Sequence, residues 1–144
     1  MHAIRPANDG DIAPAATLFR AVRLACLPYL PDLHTPEEDL AYFRDHVFGT
    51  CEVWIAGNTE GFVAFRAGWV DHLYVRPDCQ RSGIGATLLA RAMTTYSPLR
   101  LWTFQKNIGA IEFYSARGFR EIERSDGRCN EEREPDILFG WFRA

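Results

Sequence analysis

Three groups of residues in this chain have types and spacings that could do chemistry. The first is the loop Gln80-Arg81-Ser82-Gly83-Ile84-Gly85-Ala86. Glycines let backbone approach a ligand and turn its N–H groups toward it. This loop opens a helical pattern, where the first N–H groups lack partners and the helix dipole adds partial positive charge. The combination suits a phosphate or pyrophosphate, with Gln80 and Arg81 as rim donors. The second group is Asp71 and His72, a carboxylate and an imidazole on one strand-like run, either able to take a proton. The third is Tyr114, a phenol of unperturbed pKa about 10. A phenol can protonate a leaving group, although as a core aromatic it needs only a satisfied hydroxyl.

Two familiar phosphate loops are excluded. A dinucleotide fingerprint wants a third glycine where this chain has Leu88, and wants it near a first strand rather than mid-chain. A Walker loop needs Gly-Lys-Ser/Thr, which is absent.

The elements that must position these residues follow from periodicity and punctuation. His2 to Pro6 reads as a short strand, and Asn8 to Asp11 can cap a helix running to about Cys26. Leu27 to His34 holds two prolines and reads as a loop. Thr35-Pro36-Glu37-Glu38 is a capping box with proline at the first helical position, opening a second helix to near Gly49. Three strand-like runs follow: Cys51 to Ala56, Gly61 to Ala67 and Trp69 to Val75. A helix from Ile84 to Tyr96 stops at Ser97-Pro98. A strand spans Leu99 to Phe104, and Asn107 caps a helix that Gly118 ends. Phe119 to Ile122 and Ile137 to Phe142 are closing strands, with Glu123 to Asp136 as a turn or long loop. The order β-α-α-β-β-β-α-β-α-β-β specifies an α/β (α+β) fold with a mixed sheet. Strict alternation puts Trp69, Asp71, Leu73 and Val75 on one face of their strand, and Val70, His72 and Tyr74 on the other, unless a bulge intervenes.

Composition narrows the field. With 144 residues, 47% hydrophobic and without repeat or linker, residues 1–144 read as one domain. A net charge of −3 gives no support for a nucleic-acid partner. No run approaches a membrane span, and the first residues carry no signal-peptide core. Four scattered cysteines and four histidines argue for free thiols in a cytoplasmic protein and against a metal site.

Two motifs now agree with the element order. One is Leu73-Tyr74-Val75 followed by Gln80-x-x-Gly83-x-Gly85. The other is Asn107-x-x-Ala110-x-x-Phe113-Tyr114-x-x-x-Gly118-Phe119. Together they resemble the two signature halves of the GNAT superfamily of N-acetyltransferases, and the resemblance covers nearly the whole chain. It implies a largely antiparallel central sheet, splayed between its fourth and fifth strands. It implies acetyl-CoA as donor. The pantetheine arm would lie in the splay against Leu73 and Val75, and the pyrophosphate on Gln80 to Ala86. Asn107 would bond the arm, with Ala110 and Phe113 beside it, and Tyr114 would serve the thioester sulfur as general acid. It implies direct transfer in a ternary complex to a primary amine. It implies a small-molecule amine or a peptide as acceptor, in a site lined by Leu27 to His34 (Tyr29, Asp32, His34) and Arg128 to Asp136 (Glu131, Glu132, Glu134, Asp136). Those acids also read simply as a solvated loop. The resemblance places the group assisting amine deprotonation at Trp69 or Asp71. Since Trp69 is no base, Asp71 is the expected one, with His72 or a water chain as alternatives. A non-catalytic acyl-CoA-binding module and an acetyltransferase of a protein N-terminus or lysine remain the other readings, and a homodimer is left open.

Overall fold

The computed structural model describes residues 2–144. In chain order the elements are β1 (Ile4–Pro6), α1 (Ile12–Cys26), α2 (Pro36–Tyr42), α3 (Phe48–Thr50), β2 (Glu52–Ala56), β3 (Gly61–Arg66), β4 (Trp69–Val75), α4 (Ile84–Thr95), β5 (Leu99–Phe104), α5 (Ile108–Ala116), β6 (Arg120–Ser125) and β7 (Asp136–Trp141). A π-helical stretch, Phe43–Val47, joins α2 to α3. The local signals act as expected. Thr35 Oγ1 accepts the Glu38 N–H at 3.1 Å, and the Glu38 carboxylate accepts the Thr35 N–H at 2.8 Å. Gly118 ends α5 with a φ of 93°.

One boundary differs from the sequence reading. Strand β6 runs on to Ser125, and β7 begins at Asp136. Strand β6 is the outer edge of the sheet and buries none of its residues, so hydrophobic alternation leaves no trace there.

The seven strands lie in the order β1-β2-β3-β4-β5-β7-β6, with β4–β5 parallel and the other pairs antiparallel. Both faces of the N-terminal half are covered. Phe43, Ile55, Phe62 and Ala64 pack with Ala15 and Val22 of α1. On the opposite face Val63, Phe65 and Val70 pack with Leu88 and Leu89 of α4, and with Leu101, Ile137 and Phe139. Strand β3 is therefore apolar on both faces from Gly61 to Phe65.

Two irregularities in β4 make the site. Strands β4 and β5 are paired only at Trp69 and Arg100, where the Arg100 N–H donates to the Gly68 carbonyl at 2.9 Å. Beyond that point they splay apart. On the other side of β4, Ala64 pairs with His72 but Phe65 pairs with Val70, which leaves Asp71 as an extra, bulged residue. The bulge overturns strict alternation. His72 and Tyr74, opposite Ala64 and Phe62, face α1, and Leu73, opposite Val63, faces α4 with Val70. Asp71 does not share the face of Leu73. Its carboxylate accepts from Arg66 Nε at 2.7 Å and Nη2 at 3.1 Å, and from Cys51 Sγ at 3.3 Å.

Candidate functional site

The loop after β4 is built to leave N–H groups free. Arg81 and Gly83 adopt positive φ, 63° and 94°, which turns the chain sharply into α4. The first bond of that helix runs from the Thr87 N–H to the Gly83 carbonyl at 3.0 Å. The N–H groups of Ile84, Gly85 and Ala86 therefore precede the helical ladder, as an anion site requires. Arg81 is exposed at the rim. Gln80 is folded back instead, its amide donating to the Val75 carbonyl at 3.0 Å, and Ser82 Oγ donates to the Cys79 carbonyl. A Cβ on Gly85 would stand 3.4 Å from the Phe113 ring and 3.6 Å from Val75. Those are ordinary van der Waals distances, and they place Phe113 of α5 against the loop, which joins the two sequence motifs in space.

The gap between β4 and β5 opens beyond the Trp69–Arg100 pair, toward the end of β4 that carries this loop. The Arg76 N–H bonds across to the Glu60 carbonyl at 2.8 Å. Polar groups alternate sides along a strand, so those of Leu73 and Val75 point the other way, into the gap. Asn107 caps α5, its side-chain oxygen accepting the Ala110 N–H at 3.2 Å. Its NH2 group remains for another partner. Tyr114 packs among Phe113, Phe119 and Phe139, with ring centroids 5.2, 5.6 and 6.5 Å away. Burial, with a smaller contribution from the Tyr74 phenol, pushes its pKa well above the ordinary range. The hydroxyl stays protonated near neutral pH, a hydrogen-bond donor whose proton is held more tightly than an ordinary phenol's. Tyr74 meets the other residues expected at this site only through its phenol, which acts on Tyr114. Its ring faces α1, 5.2 Å from Phe19 and 5.8 Å from Phe62.

On the α1 side lies a cavity of about 710 Å³. Its wall includes Phe19 and Arg23 of α1, Tyr42 at the end of α2, and His72. Asp32 and His34 of the first loop and Glu131 and Glu132 of the second also line it, whereas Tyr29, Glu134 and Asp136 do not. The two loops are pinned together there. His34 bonds the Glu131 carboxylate, and Arg23 donates to Glu132 at 3.1 Å. Tyr29 instead reaches β5, its ring 6.4 Å from Phe104 and 5.3 Å from the Lys106 ammonium.

His72 is fixed within this wall. Its ring lies 5.5 Å from Phe19, 5.8 Å from Phe43 and 6.0 Å from Tyr74. Its Nε2 is 2.9 Å from the Tyr42 hydroxyl. Burial lowers its pKa to about 4, with Asp71 opposing that shift and Arg23 adding to it. The imidazole is therefore neutral near pH 7, with a lone pair to offer. Burial raises Tyr42 to about 12, with Asp71 adding to it, so this phenol is also neutral. Asp71, held by Arg66, does not line the cavity.

Sequence reasoning missed Phe19, Arg23 and Tyr42. The spacing of Phe19 and Arg23, one helical turn apart, was a signal for a shared face. Nothing local could have paired Tyr42 with a histidine 30 residues away.

The family model described as an acetyltransferase (GNAT) domain matches residues 37–121. An uncharacterized N-acetyltransferase of Methanocaldococcus jannaschii is 36% identical over 113 residues, covering 67% of this chain and 43% of that protein. The peptidyl-lysine N-acetyltransferase YiaC of Escherichia coli is 32% identical over 84 residues, covering 56% of this chain and 58% of its own. The chain thus spans about half the length of these curated relatives. A structure of yncA from Salmonella typhimurium, solved with its cofactor acetyl-CoA, superposes with a TM-score of 0.72 at 17% identity, covering 97% of this chain and 92% of that one. Model, relatives and fold agree, and this chain belongs to the GNAT acetyltransferase family.

Proposed function

We propose that this chain is an acetyl-CoA-dependent N-acetyltransferase that passes the acetyl group directly to a primary amine. The observation that carries the reading is the splay between β4 and β5. It has free helix N–H groups at one end, Tyr114 beside it, and an acceptor-sized cavity on the α1 face. The pyrophosphate of CoA would sit on Ile84, Gly85 and Ala86. The pantetheine arm would lie against the backbone of Leu73 and Val75, within reach of the Asn107 amide. Phe113 and Ala110 would support that arm from α5.

In the reaction the amine nitrogen attacks the thioester carbonyl and a C–N bond forms. Negative charge builds on the carbonyl oxygen, and a gap-facing N–H of β4 can hold it. The C–S bond then breaks, Tyr114 gives its proton to the departing thiolate, and the second proton shed by the new amide nitrogen restores the phenol. The incoming ammonium must first lose a proton. We assign that base to His72 rather than Asp71, because His72 lines the cavity while the Asp71 carboxylate is bound by Arg66.

A peptide lysine as acceptor is supported by two observations. Asp32, Glu38, Asp45 and Glu131 line the cavity, which suits a cationic segment, and YiaC is named for peptidyl-lysine.

Turnover is the test. With acetyl-CoA and a panel of simple primary amines and lysine-containing peptides, the protein should release CoA thiol in proportion to added amine. Tight CoA binding with no amine-dependent release would make the chain a binding module instead.

A further inference from the structure

We propose that the Tyr42 hydroxyl carries the proton between the acceptor amine and His72. The inference rests on the acetyltransferase reading and assigns a residue to a step that reading leaves open.

The His72 ring is walled by Phe19 edge-on, by Phe43 and by Tyr74. Its Nε2 already faces a partner, the Tyr42 oxygen at 2.9 Å. A proton bound for that nitrogen reaches it through Tyr42. Tyr42 also opens to the cavity and to water, for the residue is 40% exposed. It therefore stands between the Nε2 of the walled-in imidazole and the space where an amine can bind. Its own ring is held by Phe43 at 5.8 Å and by His46 at 5.8 Å, which fixes the direction of the hydroxyl.

The transfer balances. The ammonium gives one proton to the Tyr42 oxygen while the Tyr42 hydroxyl proton passes to His72 Nε2. The products are a neutral amine, an unchanged phenol and an imidazolium. After the product amide leaves, the same path returns the proton to solvent. Tyr42 never needs to become a phenolate, which the partial desolvation of its hydroxyl and the nearby Asp71 charge disfavour. The charged and titratable groups around the pair are Asp71 and Tyr74 on β4, Arg23 on α1, His46 next to Tyr42, Cys51 before β2, and Glu131 from the β6–β7 loop. Asp71 favours the imidazolium and Arg23 opposes it. With Phe19 and Phe43 against the ring, desolvation makes His72 a weak base, so the imidazolium forms only in passing and gives its proton up again.

The test is the pH dependence of kcat/KM for one primary amine in the native protein, Tyr42→Phe, His72→Gln and the double variant. Phenylalanine keeps the ring contacts with Phe43 and His46, so the fold should hold, and the CoA dissociation constant serves as the check. Each single variant should lose about a hundredfold at neutral pH, the lower end of what a lost acid–base group causes. The loss should shrink as pH rises toward the amine's own pKa of about 10, where the neutral nucleophile is already present. The double variant should be no worse than His72→Gln alone, because two members of one path act as a unit. A native profile for Tyr42→Phe overturns the proposal. So does a loss equal at every pH, which marks a merely structural role, or a double variant whose losses multiply. If Asp71→Asn is damaged and His72→Gln is not, the path ends at the wrong residue. If the native protein turns over no amine at all, the acetyltransferase reading falls and this inference falls with it.

Discussion

Replacing Tyr114 by Phe should lower kcat about a hundredfold or more, the usual loss when a general acid is deleted. The KM for acetyl-CoA should hardly move. The ring packs among Phe113, Phe119 and Phe139, and phenylalanine keeps those contacts. What disappears is the one proton poised for the thiolate. Burial keeps that proton on the oxygen throughout the working pH range, so the native enzyme should show no fall in rate from Tyr114 ionisation near neutrality. Stopped-flow or steady-state kinetics of thiol release would decide the matter. Near-native single-turnover rates for Tyr114→Phe would remove the acid role, and single-turnover conditions ensure that slow product release does not hide the chemical step.

Gly83→Val should weaken CoA binding roughly tenfold to a hundredfold. Gly83 holds a φ of 94° at the start of α4, a conformation that a β-branched residue resists. Space is not the obstacle, since a Cβ there meets only the His2 ring, at 3.5 Å. The loss would come from the backbone shifting and the Ile84, Gly85 and Ala86 N–H groups turning off the pyrophosphate. Calorimetry with CoA, alongside circular dichroism to confirm the fold, gives the answer. Unchanged affinity in a folded variant would take the pyrophosphate away from this loop.

Much of this architecture was legible in the residues. Thr35-Pro36-Glu37-Glu38 and Asn107 announced their helices because capping is local chemistry, satisfied within four residues. The strand Trp69–Val75 and the glycine loop after it were legible because β-rich runs and glycines punctuate the chain whatever surrounds them. The facing of Asp71 and His72 was not. A bulge arises from how β3 and β4 pair, and no residue in β4 marks it, so alternation placed Asp71 beside Leu73 where the structure puts it beside Arg66. The end of β6 was hidden for the opposite reason. Arg120-Glu121-Ile122-Glu123-Arg124-Ser125 pairs through its backbone while its side chains stay in water. The cavity was visible only as two loops, and its closure depends on contacts such as Arg23 to Glu132, which span more than a hundred residues.

The central claim is that the acetyl group moves in one step from a thioester in the β4/β5 gap to an amine in the neighbouring cavity. Initial rates measured over a grid of acetyl-CoA and amine concentrations test it most directly. Direct transfer requires both substrates to be bound together, and reciprocal plots should intersect. Parallel lines, the mark of ping-pong kinetics through an acetylated enzyme, would contradict the account.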